Sequence, residues 1–322
     1  MSKVFQNKTL NTIVKLLIFI GLMVVLYKQI IHNENLQNVV SHFKNTFDGE
    51  YALLFFVFLL MLLNWTIETI KWKYLINKWH ELSWLKAIEG ILFGITFSMF
   101  TPNRVGEFGG RVWALKTDRI TAIVSTLIGS YAQIVVNVCL GATGFLCYTF
   151  YTGKNDSYLN GVFIFFFILI VVATHLTYFN LDFVSTKFFK IKRFQKIRNY
   201  IDVINKYSLT DLLKLEFLSL SRYCIYCLQF MLLLNFFGVD VPIGFGFILI
   251  SAIFFIQTIN PFSIDLLDIG FRGNVALFFL KPYTDNDIGI LATTIMLWLI
   301  NLVFPAIIGA IAALQFKFFR EE

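Results

Sequence analysis

Apolar runs long enough to cross a bilayer as helices recur at about 13–31, 51–70, 120–151, 161–180, 212–237 and 288–316. A crossing needs about 20 residues at a rise of about 1.5 Å each. Two further apolar segments, 87–100 and 244–260, are interrupted. Each leads to a proline, Pro102 or Pro261, then to charged residues and a short apolar return. Broken backbone at membrane depth is tolerated only inside protein or beside a wet cavity. Both segments therefore read as re-entrant helical hairpins. The pattern predicts an all-α polytopic membrane protein with about six full spans and two such hairpins.

The charges after the two prolines share one form, acid-x-Gly-x-Arg. Glu107-Phe108-Gly109-Gly110-Arg111 is the first copy and Asp268-Ile269-Gly270-Phe271-Arg272 the second, half a chain length apart in 322 residues. Matching breaks in two halves of a membrane protein are the pattern of repeats that meet at a midplane site. The expected units are about 51–151 and 212–316, in opposite orientation, within a single integral membrane domain covering 1–322. Expected structural breaks are Pro102, Gly106 and Gly109 in the first unit, and Pro261 and Gly270 in the second.

Composition agrees with burial in lipid: 57% of residues are hydrophobic and 15% charged. The charged residues also orient the chain. Of the 27 Lys and Arg, all but Lys28, Lys44, Lys154, Lys281, Arg222 and Arg272 fall in the N-terminus, 71–119, 182–214 or the C-terminus. The positive-inside rule puts those regions, and both termini, in the cytoplasm of a cell membrane protein. Lys3, Lys8 and Lys15 precede the first run without a small-residue cleavage site, so that run reads as an uncleaved span. At 183–207, Phe188, Ile191, Phe194, Ile197, Ile201 and Ile204 share one helical face amid Lys187, Lys190, Lys192, Arg193, Lys196 and Arg198. This segment is either a basic amphipathic helix on an anionic leaflet or an ordinary positive-inside linker.

Charge at membrane depth costs about 2.5–3.5 kcal/mol per residue on insertion scales, so it marks a substrate path or a structural ion pair. Arg104, Glu107, Arg111, Arg222, Asp268 and Arg272 are the candidate substrate-binding residues. Arg grips phosphate bidentately, and a carboxylate balances it or receives an amine. Acid and Arg are one helical turn apart in each signature, so they can equally be ion pairs that hold the hairpins. Arg222 is a third cationic contact or a partner for Asp265 or Asp268. Glu68 and Lys71 read as a surface pair near the end of their span. Trp65, Trp72 and Trp79, seven apart, read as interfacial anchors.

Other chemistry is weakly signalled. Cys224 and Cys227 lie in an apolar run and read as packed thiols, and His32, His42, His80 and His175 are scattered. No nucleotide loop, nucleophile elbow or H-E-x-x-H occurs, so no cofactor, metal site or catalytic residue is expected.

The stretch Ser98-Met-Phe-Thr-Pro102-Asn-Arg104-Val-Gly106-Glu107-Phe-Gly-Gly-Arg111 resembles the P-x-R-x-G-E…R signature of the lysylphosphatidylglycerol synthase transmembrane-region family. Lys71-Trp72-Lys73-Tyr74-Leu75 is similar to the family's Arg-Trp stretch. Asp268-Ile-Gly270-Phe-Arg272-Gly273 is similar to its second block, with Asp where Glu is commoner. The resemblance implies a flippase-like domain that moves a phospholipid or isoprenoid-linked lipid between leaflets. It also implies that a chain ending at Phe318-Phe319-Arg320-Glu321-Glu322 makes no aminoacylated lipid itself. Expected partners are membrane lipids, either anionic phospholipid or a polyprenyl-phosphate lipid, and no nucleic acid. A lipid-modifying enzyme or a second copy of the chain remains open as a protein partner. The rival reading is a non-transporting subunit that docks a glycosyltransferase or lipid-modifying enzyme. An embedded enzyme with Glu107 as base comes third.

Overall fold

Prolines and glycines set the architecture as much as apolar length does. The computed structural model describes residues 51–115, 119–153, 157–181, 203–260 and 269–315. The expected first span, most of the basic linker, and the expected roles of Pro261, Asp265 and Asp268 lie outside these residues. The described chain is helical: α1 Tyr51–Asn77, α2 Trp84–Ser98, α3 Gly106–Ala114, α4 Arg119–Thr152, α5 Ser157–Phe179, α6 Leu209–Phe236, α7 Ile243–Ile259, α8 Ile269–Leu280, α9 Asp287–Trp298 and α10 Phe304–Gln315. Among the described residues, Tyr51–Asn77, Arg119–Thr152, Gly161–Phe179, Leu209–Phe236 and Asp287–Ala313 are long and apolar enough to cross a membrane. This is an all-α, multi-pass membrane protein.

Two boundaries differ from expectation, each for a local reason. α1 continues to Asn77 rather than stopping near residue 70, so Glu68 and Lys71 lie within the helix. The last span is not one regular helix, because a π-turn at Leu299–Val303 separates α9 from α10. Pro305 accounts for it: proline has no N–H to offer the carbonyl four residues earlier, that of Asn301.

The first hairpin is α2 and α3, joined by a sharp break. Thr101 precedes proline and is extended, at φ −119° and ψ 138°. Pro102 then opens a short turn in which Asn103 and Arg104 adopt left-handed backbone, at φ 51° and 58°. Asn tolerates that region, whereas Arg is strained in it. The Gly106 N–H, at the start of α3, donates to Thr101 Oγ1 at 2.7 Å. A Cβ on Gly106 would meet Phe97 C at 2.5 Å, and one on Gly110 would meet Gly94 N at 2.5 Å. The two glycines, four apart, let α3 lie directly on the α2 backbone. Gly109 is not a break: it lies inside α3 with open space where a Cβ would be. Gly270 is likewise open, inside α8.

The order α1–α2–α3–α4 recurs as α6–α7–α8–α9/α10, with α5 between. The two sets interlock. α1 packs on α6, α2 packs on α10, and α7 packs on α4. In lipid, helices associate through close van der Waals contact at small residues rather than through hydrophobic drive. Gly309 supplies that contact to α2, where a Cβ would meet Leu92 C at 2.8 Å, and Thr96 Oγ1 donates to Ala306 O at 3.0 Å. Gly141 and Gly144 supply it to α7, where Cβ atoms would meet Phe255 Cβ at 2.7 Å and Ser251 Cβ at 2.5 Å. The first arm of each broken pair is thus held by the last helix of the other set. α5 stands outside this arrangement, with Phe165, Phe166, Ile168, Leu169 and Leu176 exposed.

Candidate functional site

Asn64, Glu68 and Lys71 lie on one face of α1, at i, i+4 and i+7, and that face turns inward. Their exposures are 0%, 4% and 1%. Buried charge is stable only when paired and hydrogen-bonded. Glu68 is the shared partner. Its Oε1 accepts from Arg111 Nη2 of α3 at 2.7 Å. Its Oε2 pairs with Lys71 Nζ at 2.8 Å and with Arg222 Nη1 of α6. Arg222 Nε donates to Asn64 Oδ1 at 2.8 Å, and Lys71 Nζ to Ser219 Oγ at 3.4 Å.

A second carboxylate extends the cluster. Glu107 pairs with Arg111 through the i,i+4 spacing of the signature, and Arg104 Nε stands 3.7 Å from Glu107 Oε2. Tryptophans flank the guanidiniums: Arg111 lies 5.7 Å from the Trp72 ring centroid and Arg222 5.4 Å from that of Trp65. Such placement adds cation–π attraction.

The cluster forms part of the wall of a cavity of about 890 Å³ among α1, α3, α4, α6, α7, α8 and the α9–α10 turn. Arg104 and Arg272 also line it, so arginines from both signatures face one space. Among the described lining residues, Lys71, Arg104, Arg111, Arg222 and Arg272 stand against only Glu68 and Glu107. The described part of the lining is net cationic. Phe108, Tyr226, Phe230, Phe254 and Trp298 give it aromatic walls. The combination suits an amphiphile with an anionic head.

Proline chemistry builds one corner. The Asn301 carbonyl, denied its i+4 donor by Pro305, accepts from Trp65 Nε1 at 3.1 Å. That bond ties the π-turn to α1 beside Arg222.

Several expectations are corrected here. Glu68 and Lys71 are not a surface pair but the centre of the cluster. Trp65 and Trp72 are not interfacial anchors; they pack beside arginines, with Trp72 fully buried. Arg222 pairs with Glu68 and Asn64 among the described residues. Glu216, on the same helix, faces His175 Nε2 at 3.3 Å. The structure brings Arg104, Glu107, Arg111, Arg222 and Arg272 to one cavity, while Asp268 lies outside the described residues.

Comparison with known proteins agrees with this architecture. A family model described as the lysylphosphatidylglycerol synthase TM region matches residues 12–309, nearly the whole chain. No curated protein and no solved structure matches it.

Proposed function

We propose that this protein, which belongs to the lysylphosphatidylglycerol synthase TM region family, moves an anionic lipid between the leaflets of the cell membrane. The lipid is a phospholipid or an isoprenoid-linked phosphate. The observation that carries this reading is the aromatic-walled cavity inside a bundle of membrane helices, lined by arginines of both signatures. Arg111 and Arg222, aided by Arg104 and Arg272, engage the phosphate. Glu68 and Glu107 hold the arginines in place and limit their mutual repulsion. The protein itself performs no covalent chemistry on the lipid.

The two halves, taken as inverted repeats with cytoplasmic termini, supply the alternation. Each broken pair rests its first arm on the other half through small-residue contacts. Such surfaces can slide without exposing unsatisfied backbone, which is how rocking of repeats opens a midplane site to either side.

A docking subunit is the second reading, favoured by one observation. Lys206 lies 3.8 Å from the Trp79 ring centroid and Lys214 4.0 Å from that of Tyr74, which makes a basic, aromatic face near the end of α1. Reconstitution separates the two. Headgroup-labelled phosphatidylglycerol and a labelled polyprenyl phosphate are each assayed for translocation in proteoliposomes. Translocation above that of empty vesicles supports transport. Folded protein with no translocation of either lipid, together with co-purification of a lipid-modifying enzyme, supports docking.

A further inference from the structure

α5 lies between the two sets of helices in the chain, and an ionisable pair ties it to the second set. Much of α5 is exposed, and it packs on α4. In its last turns, His175 Nε2 stands 3.3 Å from Glu216 Oε1 of α6. The other ring nitrogen, Nδ1, stands 3.0 Å from Val171 O, one turn earlier in α5. A neutral tie runs alongside, from the Tyr178 hydroxyl to Leu212 O at 2.9 Å.

Both nitrogens of the His175 ring therefore face oxygens that accept: a backbone carbonyl and a carboxylate. Neutral imidazole has one N–H, so it satisfies one of these oxygens and presents a lone pair to the other. The imidazolium has two N–H groups and satisfies both at once. The arrangement is complete only when the ring holds one proton more than its neutral form. The two side chains are 29% and 24% exposed, so that proton can come and go without opening the bundle.

The described groups around the pair do not take over this role. Cys139 of α4 and Tyr178 of α5 lie within electrostatic reach of Glu216, and both are ordinarily uncharged at neutral pH. Tyr131 of α4 turns its hydroxyl to Thr174 O. From α1, Lys71 reaches Ser219, three residues beyond Glu216, and is held by Glu68. Lys78 of α1 pairs with Asp211, and Lys214 of α6 lies over the Tyr74 ring. α7 carries no titratable residue, and Asp287 of α9 pairs with Lys281.

We infer that His175 and Glu216 form a proton-binding site that clasps α5 to α6 when loaded and loosens when empty. In the loaded form an imidazolium meets a carboxylate across the two helices, a charge-assisted contact. Loss of the proton leaves a neutral ring with one oxygen unserved. Protonation is thereby linked to the attachment of α5 to the second set, whatever the cavity carries.

The test uses the full chain in lipid nanodiscs, with His32, His42 and His80 replaced by Gln so that His175 is the one histidine left. Its nitrogen-15-labelled ring is followed by NMR from about pH 5 to about pH 9. Both ring nitrogens should carry protons at the acid end, and one should lose its proton within the range. A double-mutant cycle of His175→Phe and Glu216→Leu, read by unfolding in SDS, measures the clasp. The coupling should be about two- to tenfold in the unfolding equilibrium constant at the acid end, and should vanish at the alkaline end. A ring whose protonation stays the same throughout overturns the proton site. Equal coupling at the two ends overturns the clasp. The NMR titration keeps both members of the pair, so it decides the site even where a cycle variant fails to fold.

Discussion

Replacing Glu68 by Gln removes the negative charge that Lys71, Arg111 and Arg222 share, while keeping nearly the same volume. Arg111 retains Glu107, but Lys71 and Arg222 are left with only Ser219 and Asn64 as described side-chain hydrogen-bond partners. These groups are mostly buried, so water from the cavity replaces the lost carboxylate only in part. Removing one partner of a buried ion pair costs about 3–5 kcal/mol, and here more than one cation is stranded. Lys71→Met is the opposite case. It forfeits one charged contact but removes a buried ammonium and leaves Glu68 held by both arginines, so the loss should stay near about 1–2 kcal/mol. Combining the two substitutions should recover part of the Glu68→Gln loss, because one stranded charge is gone. The assay is equilibrium unfolding in detergent with increasing SDS, followed by far-UV circular dichroism. If Glu68→Gln proves no less stable than Lys71→Met, or the double variant shows no recovery, the shared-carboxylate account fails.

Three further outcomes follow from the packing. Gly110→Ala forces a Cβ into the backbone of Phe93 and Gly94 and should cost about 1–3 kcal/mol. Gly109→Ala has open space and should be neutral or stabilising by up to about 1 kcal/mol; equal thermal shifts for the two would contradict the hairpin geometry. Trp65→Phe should cost about 1 kcal/mol through loss of the bond to Asn301 O. In a Pro305→Ala background, where that carbonyl gains a helical donor, the same substitution should cost almost nothing, as a double-mutant cycle would read.

The hairpin of α2 and α3 is legible because its cause is local. A proline, a charged turn and a short apolar segment lie together at 87–111, and the i,i+4 spacing of Glu107 and Arg111 pairs them directly. Glu68 is different. Placed near an assumed helix end at residue 70, it pairs with Lys71 at i,i+3 as surface charges commonly do. The signal that points inward is Asn64, which puts Glu68 and Lys71 on a polar stripe of an otherwise apolar helix. The seven-residue Trp spacing carries that face too, since Trp65 and Trp72 border the stripe. Asn301 and the π-turn trace to Pro305, but which donor would claim the freed carbonyl depends on a contact to Trp65 far away in sequence. Gln133 and Asn137, which line the cavity, have no sequence signature at all. Helices α4, α6 and α7 bring these side chains to one space.

Translocation of headgroup-labelled phosphatidylglycerol and polyprenyl phosphate by wild type, Arg111→Ala, Arg222→Ala and Arg272→Ala tests the central claim most directly. Each variant is first checked for a native-like unfolding transition. One cavity served by both halves predicts that wild type moves at least one of these lipids, and that every folded variant loses at least about tenfold in rate, the worth of one charge-assisted contact. Wild-type rates retained in folded Arg111→Ala and Arg272→Ala would contradict it and reduce the signatures to ion pairs that hold the hairpins.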